Sequence, residues 1–370
     1  MGDSLFSAEK KRMEHKSLST YLTDAVNAGA SDIFFQVGSP VNAKVHGELD
    51  PVDDYRLTAE DMEAFAKEML DKAGRSYENF EKSRDDDFAF YLPDIARFRV
   101  NIYHQRGTIS AVIRVIAFRI PNYKDANIPE EIMSLADIRS GLVLVTGTTG
   151  SGKSTTLACI VDRINHTRKG HIITIEDPIE FMHKNDKCII SQREVFIDAL
   201  DFDSALRAAL REAPNVILLG EMRDYQTIRI AISAAETGHL VLATMHTQGA
   251  ANTVDRIIDS FPSDQQPQIR MQASMALQAV VSQKLLKGKD GILHPAFEVM
   301  RTNMAVKSLI REGQTHMIGS TVSAGKNSGM IAMDDSILSL YRNGLIDKET
   351  ALANANSYEA MQAKVGSGRF

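Results

Sequence analysis

LVLVTGTTGSGKSTTLA, Leu142 to Ala158, decides the fold. An apolar run ends in glycines, and a helix-forming run follows. Gly147, Thr148, Thr149, Gly150, Ser151, Gly152, Lys153 and Ser154 match the pattern GxxxxGK[ST], with Thr155 next in line. The glycines let backbone N–H groups turn inward toward phosphate oxygens. The helix that starts near Lys153 adds its partial positive charge. In this pattern the lysine reaches the β- and γ-phosphates and the Ser154 hydroxyl ligates Mg²⁺. The stretch therefore implies a strand, a phosphate-binding loop and a helix, with ATP and Mg²⁺ as cofactors.

From Gly141 onward short apolar runs alternate with helical segments: GLVLVT, HIITIED followed by a loop, NVILLGEM, and HLVLATMH. That rhythm predicts a parallel sheet covered on both faces. In such a sheet the C-terminal strand ends face the ligand. ILLGEMRD puts Glu221 at one such end, placed to act on Mg²⁺ through water in a position where aspartate is usual. HIITIEDPIEF puts Glu176, Asp177 and Glu180 at another, with Pro178 ending the strand. Glu180 is the candidate general base, able to take a proton from water beside the γ-phosphate. His239 and His246 bracket a third strand. Either histidine alone is more often structural, and His246 is the one placed to sense the γ-phosphate.

Before this core, residues 17–118 mix helices with strands. SLSTYLTDAVNAGA has helical apolar spacing and Gly29 at its end. LTAEDMEAFAKEML starts with Thr58 and has Asp61 three residues on, a capping-box pattern. ARFRVNIYHQRGTISAVIRVI alternates and turns near Arg106-Gly107, a hairpin. Residues 1–16 form a polar arm, 119–139 with two prolines an interdomain linker, 140–296 the nucleotide core, and 297–370 a helical region.

Composition narrows the classes. Across 370 residues, 44% are hydrophobic and 24% charged, the balance of a globular chain long enough for two domains. The net charge of −6 argues against nucleic acid as a partner. Two cysteines, with no CxxC, argue against a zinc or redox site and fit a cytoplasmic protein. No apolar run approaches the ~20 residues that span a bilayer, and the N-terminus lacks the apolar region of a signal peptide.

TGTTGSGKSTTLA, TIEDPIEF, SQREV, ALRAALREAPNVILLGEMRD and AAETGHLVLATMHT, in that order, resemble the secretion ATPase superfamily of type II secretion and type IV pili. Within it the chain is similar to the pilus retraction ATPases, the PilT/PilU family. The resemblance is close over about 140–300 and looser outside. It implies an α/β protein with a PAS-like α+β N-terminal domain and a RecA-like ATPase domain followed by helices. It implies a homo-hexameric ATP-hydrolysing motor for pilus retraction and twitching motility. Such a motor docks from the cytoplasm on an inner-membrane platform protein, and a paralogous retraction ATPase is a further partner.

The resemblance also carries roles. It puts the catalytic glutamate on Glu180, the Walker B glutamate on Glu221, and the family's histidine motif on His239 and His246. Arginines of the N-terminal domain serve the nucleotide in this family, so Arg97, Arg99 and Arg114 are candidates. Arg207 and Arg211, four apart, lie on one helical face and would serve the same phosphate or brace a subunit interface. Ordinary salt bridges are the alternative for each. The chain departs from the family at Ala213-Pro214-Asn215, where relatives carry Asp-Pro-Asp, and in AVKSLIREG, which differs at Lys307 and Ser308 from a motif tied to retraction rather than hydrolysis. The tail is closer to accessory retraction ATPases, which leaves the main and the accessory motor as alternatives. Extension ATPases carry a tetracysteine zinc motif that two cysteines cannot supply. DNA translocation on a similar core is a third alternative, disfavoured by the net charge.

Overall fold

The computed structural model describes residues 16–366 apart from 46, 94 and 117–119. The expected arm therefore falls, but for residue 16, outside the described residues. The chain divides after residue 118 into two compact units.

The first unit runs α1 (Leu18–Asn27), β1 (Asp32–Gln36), β2 (Asn42–Val45), β3 (Glu48–Pro51), α2 (Ala59–Lys72), α3 (Tyr77–Ser83), β4 (Asp85–Leu92), β5 (Ala96–Gln105) and β6 (Thr108–Ile116). Its six strands form a sheet in the order β3-β2-β1-β6-β5-β4, antiparallel throughout. Register puts Phe90 opposite Phe98 and Val100 opposite Ile113, so one face is apolar. That face packs on Tyr21, Leu22, Met62 and Phe65 of the helices. Both halves of the α2 capping box form: the Asp61 N–H donates to Thr58 Oγ1 at 3.2 Å and the Thr58 N–H to Asp61 Oδ2 at 2.8 Å. The hairpin turns at Arg106 and Gly107, whose φ angles of 48° and 76° suit a tight two-residue loop. This is the α+β unit expected from the sequence. On the opposite face, by strand alternation, lie Arg97, Arg99 and Arg114. Arg99 stands directly across from Arg114, and the Arg114 Nε donates to Asp32 Oδ1 at 2.9 Å.

The second unit runs α4 (Glu130–Met133), β7 (Gly141–Thr146), α5 (Lys153–Thr167), β8 (Gly170–Glu176), β9 (Cys188–Glu194), α6 (Phe202–Ala209), β10 (Val216–Leu219), α7 (Tyr225–Glu236), β11 (Leu240–Met245), α8 (Ala250–Asp259), α9 (Gln266–Ala276), β12 (Leu277–Lys287) and β13 (Leu293–Arg301). Five helices follow: α10 (Met304–Arg311), α11 (Ile318–Ala324), α12 (Met333–Arg342), α13 (Lys348–Asn354) and α14 (Tyr358–Gly366). The seven strands lie in the order β13-β12-β7-β11-β10-β8-β9, all parallel except the β12–β13 pair. Alternation along β7 sends Leu142 and Leu144 into one core and Val143 and Val145 into another. The sheet is thus covered on both faces, as its apolar runs require.

Three local expectations are corrected. The stretch 119–139 is only partly a linker: Ile128, Ile132, Met133, Leu135 and Ala136 are buried against β7 and α5. The single turn of α4 is too short to show periodicity in sequence. The segment after HIITIED contains β9, an edge strand whose Ser191, Gln192 and Arg193 break any apolar run. The helical region begins at Met304 rather than 297, because β12 and β13 extend the sheet to Arg301. α9 passes into β12 with no intervening turn residue, so no sequence signal marks the change. In α10 the buried positions are Val306 and Ile310, and Ala305 is exposed.

Candidate nucleotide site

The site grows from the C-terminal edge of the parallel strands. β7 ends at Thr146, and Gly147 follows at a φ of 144°. A Cβ there would run into the Gln283 carbonyl oxygen and the Ser151 hydroxyl, so only glycine fits. Gly152, at a φ of 87°, is the N-cap of α5. A Cβ on it would come within 2.8 Å of Gln283 Nε2. Gln283 on β12 thus braces the loop from behind, and its Oε1 accepts from the buried Thr156 hydroxyl at 2.8 Å. No motif in the sequence signals Gln283; the β12–β7 pairing brings it there.

Lys153 is buried, and its Nζ donates to the carbonyls of Gly147 at 2.9 Å and Thr148 at 3.0 Å. Burial lowers its pKa, while the nearby charges of Glu221 and Glu180 oppose that shift. The Ser151 and Thr146 hydroxyls are buried and find no hydrogen-bond partner among the described residues.

A cavity of about 420 Å³ opens in front of this loop. Thr149, Gly150, Gly152, Lys153, Ser154 and Thr155 line one side, and Glu176, Asp177, Glu180, Phe202, Glu221, Arg223, Thr244 and His246 the other. Glu221 follows β10 by two residues and contacts two side chains: Oε2 lies 2.8 Å from Arg223 Nε, and Oε1 3.1 Å from His246 Nε2. The Thr244 hydroxyl donates to the Gly220 carbonyl and fixes that strand end against β11. Arg223 and Thr244 lie inside motifs that the sequence shows, yet neither is legible there as a site residue.

β8 ends at Glu176, which accepts from Thr174 Oγ1 at 2.7 Å and Gln192 Nε2 at 3.4 Å. Burial pushes its carboxyl up to about 7. Glu180 is exposed at the cavity rim. The residue before it, Ile179, is buried and donates its N–H to Glu194 Oε2 at 3.0 Å. The loop under Glu180 is therefore pinned while the carboxylate faces outward.

Other candidates fall elsewhere. His239 sits at the opposite end of β11, roughly 20 Å from the cavity at strand rise. Its Nδ1 lies 3.0 Å from the Ala234 carbonyl and 3.3 Å from the Thr237 hydroxyl. Arg207 lies on α6 and is exposed, with Nε 3.1 Å from Asp203 Oδ2. Arg211 is not on that helix, which ends at Ala209, so the two arginines do not share a helical face. The helix stops short because a turn forms over 210–213, closing with Ala213 at a φ of 52°. Neither arginine lines the cavity. Arg97, Arg99 and Arg114 belong to the first unit, on the β5–β6 hairpin.

A glycine-turned loop, a buried lysine at a helix N-terminus and carboxylates on adjacent parallel strand ends define a P-loop nucleotide-binding site. The chain belongs to the type II/IV secretion system protein family, whose model matches residues 7–356. It is 42% identical over 334 residues to the type IV pilus retraction ATPase PilT of Pseudomonas aeruginosa, covering 90% of this chain and 96% of that protein. It is 37% identical over 344 residues to the type IV pilus ATPase PilU of the same organism, covering 93% and 90%. Among solved structures, the pilus retraction motor PilT with bound ADP superposes with a TM-score of 0.86 at 39% identity, covering 94% of this chain and all of that one. No helix among the described residues is long and apolar enough to cross a membrane.

Proposed function

We propose that the chain hydrolyses ATP in a ring of six copies and that the cycle withdraws pilin subunits from a type IV pilus. The observation that carries this reading is the open cavity in which Lys153, Glu180 and the Glu221–His246 pair converge, in a chain so similar to PilT over nearly its whole length. A triphosphate with Mg²⁺ fits the residues present. The partnerless Ser151 hydroxyl and the loop N–H groups are suited to phosphate oxygens, and the two carbonyls on Lys153 Nζ are contacts that phosphate would replace. Ser154 and Glu221 would hold the metal, which neutralises phosphate charge when bound. Glu180 takes a proton from the attacking water. Glu221 also holds His246 at the cavity mouth, which ties the strand end after β11 to the metal site. Arg97, Arg99 and Arg114 supply further positive charge in the assembled ring.

The ring works at the cytoplasmic face of the inner membrane, docked on a platform protein of the pilus machine. The second reading is an accessory retraction ATPase, favoured by Lys307 and Ser308 on α10, where Ser308 Oγ donates to Glu312 Oε1 at 2.7 Å. The higher identity to PilT than to PilU favours the main motor. The experiment is complementation of a piliated, retraction-deficient cell. Restored twitching by the wild-type chain but not by Lys153→Ala supports the main motor. Restoration only when a PilT is also present supports the accessory one. No restoration in either background contradicts both.

A further inference from the structure

Glu180 stands on irregular backbone, and a base on a loop is only as well placed as the contacts that hold the loop. After β8 ends at Glu176, the chain doubles back along the edge strand β9. Ile179 meets Glu194, Phe181 and His183 meet Gln192, and Asn185 meets Ile190. Each of these rungs joins a side chain to backbone. The placing of Glu180 therefore depends on the identity of a few residues rather than on a backbone ladder.

Strand register explains why those residues are polar. β8 and β9 pair in parallel, with Ile172 beside Ile190, Thr174 beside Gln192 and Glu176 beside Glu194. Alternation puts all six on one face of the sheet. Ile172 and Ile190 belong to the apolar core beneath that face. The face turns polar at the next row, where the returning segment lies. Gln192 uses its whole amide there. Its Oε1 accepts the His183 N–H at 2.8 Å, and its Nε2 donates to the Phe181 carbonyl at 2.9 Å and to Glu176 Oε1 at 3.4 Å. The reversed amide would set its NH₂ against the His183 N–H, so only one orientation satisfies the network. One side chain thus ties the backbone just after Glu180 to a carboxylate that lines the cavity. Glu194 holds the residue just before Glu180, at 3.0 Å from the Ile179 N–H, but it is buried, and replacing it would test folding as much as position. Gln192 is half-buried and is the separable hold.

We propose that Gln192 is a positioning residue for hydrolysis: its amide fixes the segment that carries Glu180 against β9 and Glu176, and so aims the base at the attacking water. This rests on the reading of Glu180 as the general base and adds the group that places it. Gln192 does not touch the reacting atoms.

The test is a double-mutant cycle in the full chain. ATP affinity, KM, kcat and melting temperature are measured for the wild type, Gln192→Met, Glu180→Gln and the two substitutions together. Gln192→Met keeps the length of the side chain and removes its three hydrogen bonds. It is expected to lower kcat about 10- to 100-fold, the scale of a small misplacement of a reacting group, with KM, ATP affinity and melting temperature held. In the Glu180→Gln background the same substitution should cost nothing further, because no base is left to misplace. An equal fold-loss in both backgrounds overturns the positioning role. So does a wild-type kcat in Gln192→Met, or a loss carried by KM or by melting temperature. Glu180→Gln turning over at the wild-type rate would instead overturn the base reading, and this inference with it. Should Gln192→Met not fold, Gln192→Glu takes its place in the cycle, since its carboxylate still accepts the His183 N–H but when ionised cannot donate to the Phe181 carbonyl, and the same outcomes decide.

Discussion

The two edges of the seven-stranded sheet are built from the same strands and differ in what they gather. At the N-terminal edge several polar groups are engaged. His171 Nδ1 lies 2.9 Å from the Glu212 carbonyl and Nε2 2.9 Å from Ser191 Oγ, the Asn215 side chain accepts the His171 N–H, and His239 lies against Ala234. At the C-terminal edge the Ser151 and Thr146 hydroxyls find no partner among the described residues and four carboxylates border one cavity. Buried polar groups almost always find partners within a fold. Arg168 and Thr302 also carry buried polar atoms without a partner among the described residues, so what separates the site from the scaffold is the gathering of such hydroxyls, Lys153 and four carboxylates around one loop.

Breaking the open edge should cost most. Lys153→Ala removes the buried cation of the cradle, and tight ATP·Mg²⁺ binding should disappear in calorimetry. Unchanged affinity would show that the cradle is not the phosphate site.

The two histidines of β11 sharpen the contrast within one strand. His246→Ala strips Glu221 of a partner at 3.1 Å. Hydrogen bonds to charged groups contribute about 1.5–3 kcal/mol, so turnover should fall roughly 10- to 100-fold with the melting curve little changed. His239→Ala should do the reverse, costing about 1 kcal/mol in denaturant melts and leaving kcat of assembled protein near wild type. Equal kinetic effects would mean that the closed edge also takes part in hydrolysis.

Glu176 tests the boundary between the edges through pH. Its carboxyl, ordinarily near 4.5, stands at about 7 in the fold. The native state therefore holds that proton more tightly than the unfolded chain does. The resulting stability is complete below about pH 4.5 and is lost as pH rises through about 7, up to about 3 kcal/mol in all. Glu176→Gln should flatten this dependence, leaving the variant more stable than wild type at pH 8 and the gap smaller at pH 5. Parallel stability curves would remove the buried-carboxyl assignment.

Much of this was legible before any coordinates. The glycines, Lys153, Glu180 and Glu221 are readable because phosphate chemistry admits few residue types at those spacings. The parallel sheet is readable because strands buried on both faces must be apolar throughout. Gln283 escapes notice because only the pairing of β12 with β7, about 130 residues apart in sequence, sets it behind the loop. β9 escapes because an edge strand with polar residues has no run to detect. Arg211 misleads because a four-residue spacing implies a shared face only while the helix lasts, and α6 ends two residues earlier. His239 stands apart from the cavity, which its motif does not reveal, because a strand carries its two ends to opposite sides of the sheet.

The most direct test of the central claim, that the open edge is where ATP is hydrolysed and Glu180 is the base, is single-turnover hydrolysis by Glu180→Gln beside its nucleotide affinity. The account predicts ATP affinity close to wild type and a hydrolysis rate lower by about 10²- to 10⁴-fold. Hydrolysis at the wild-type rate would contradict it and move the base to another carboxylate of the cavity, with Glu176 first in line.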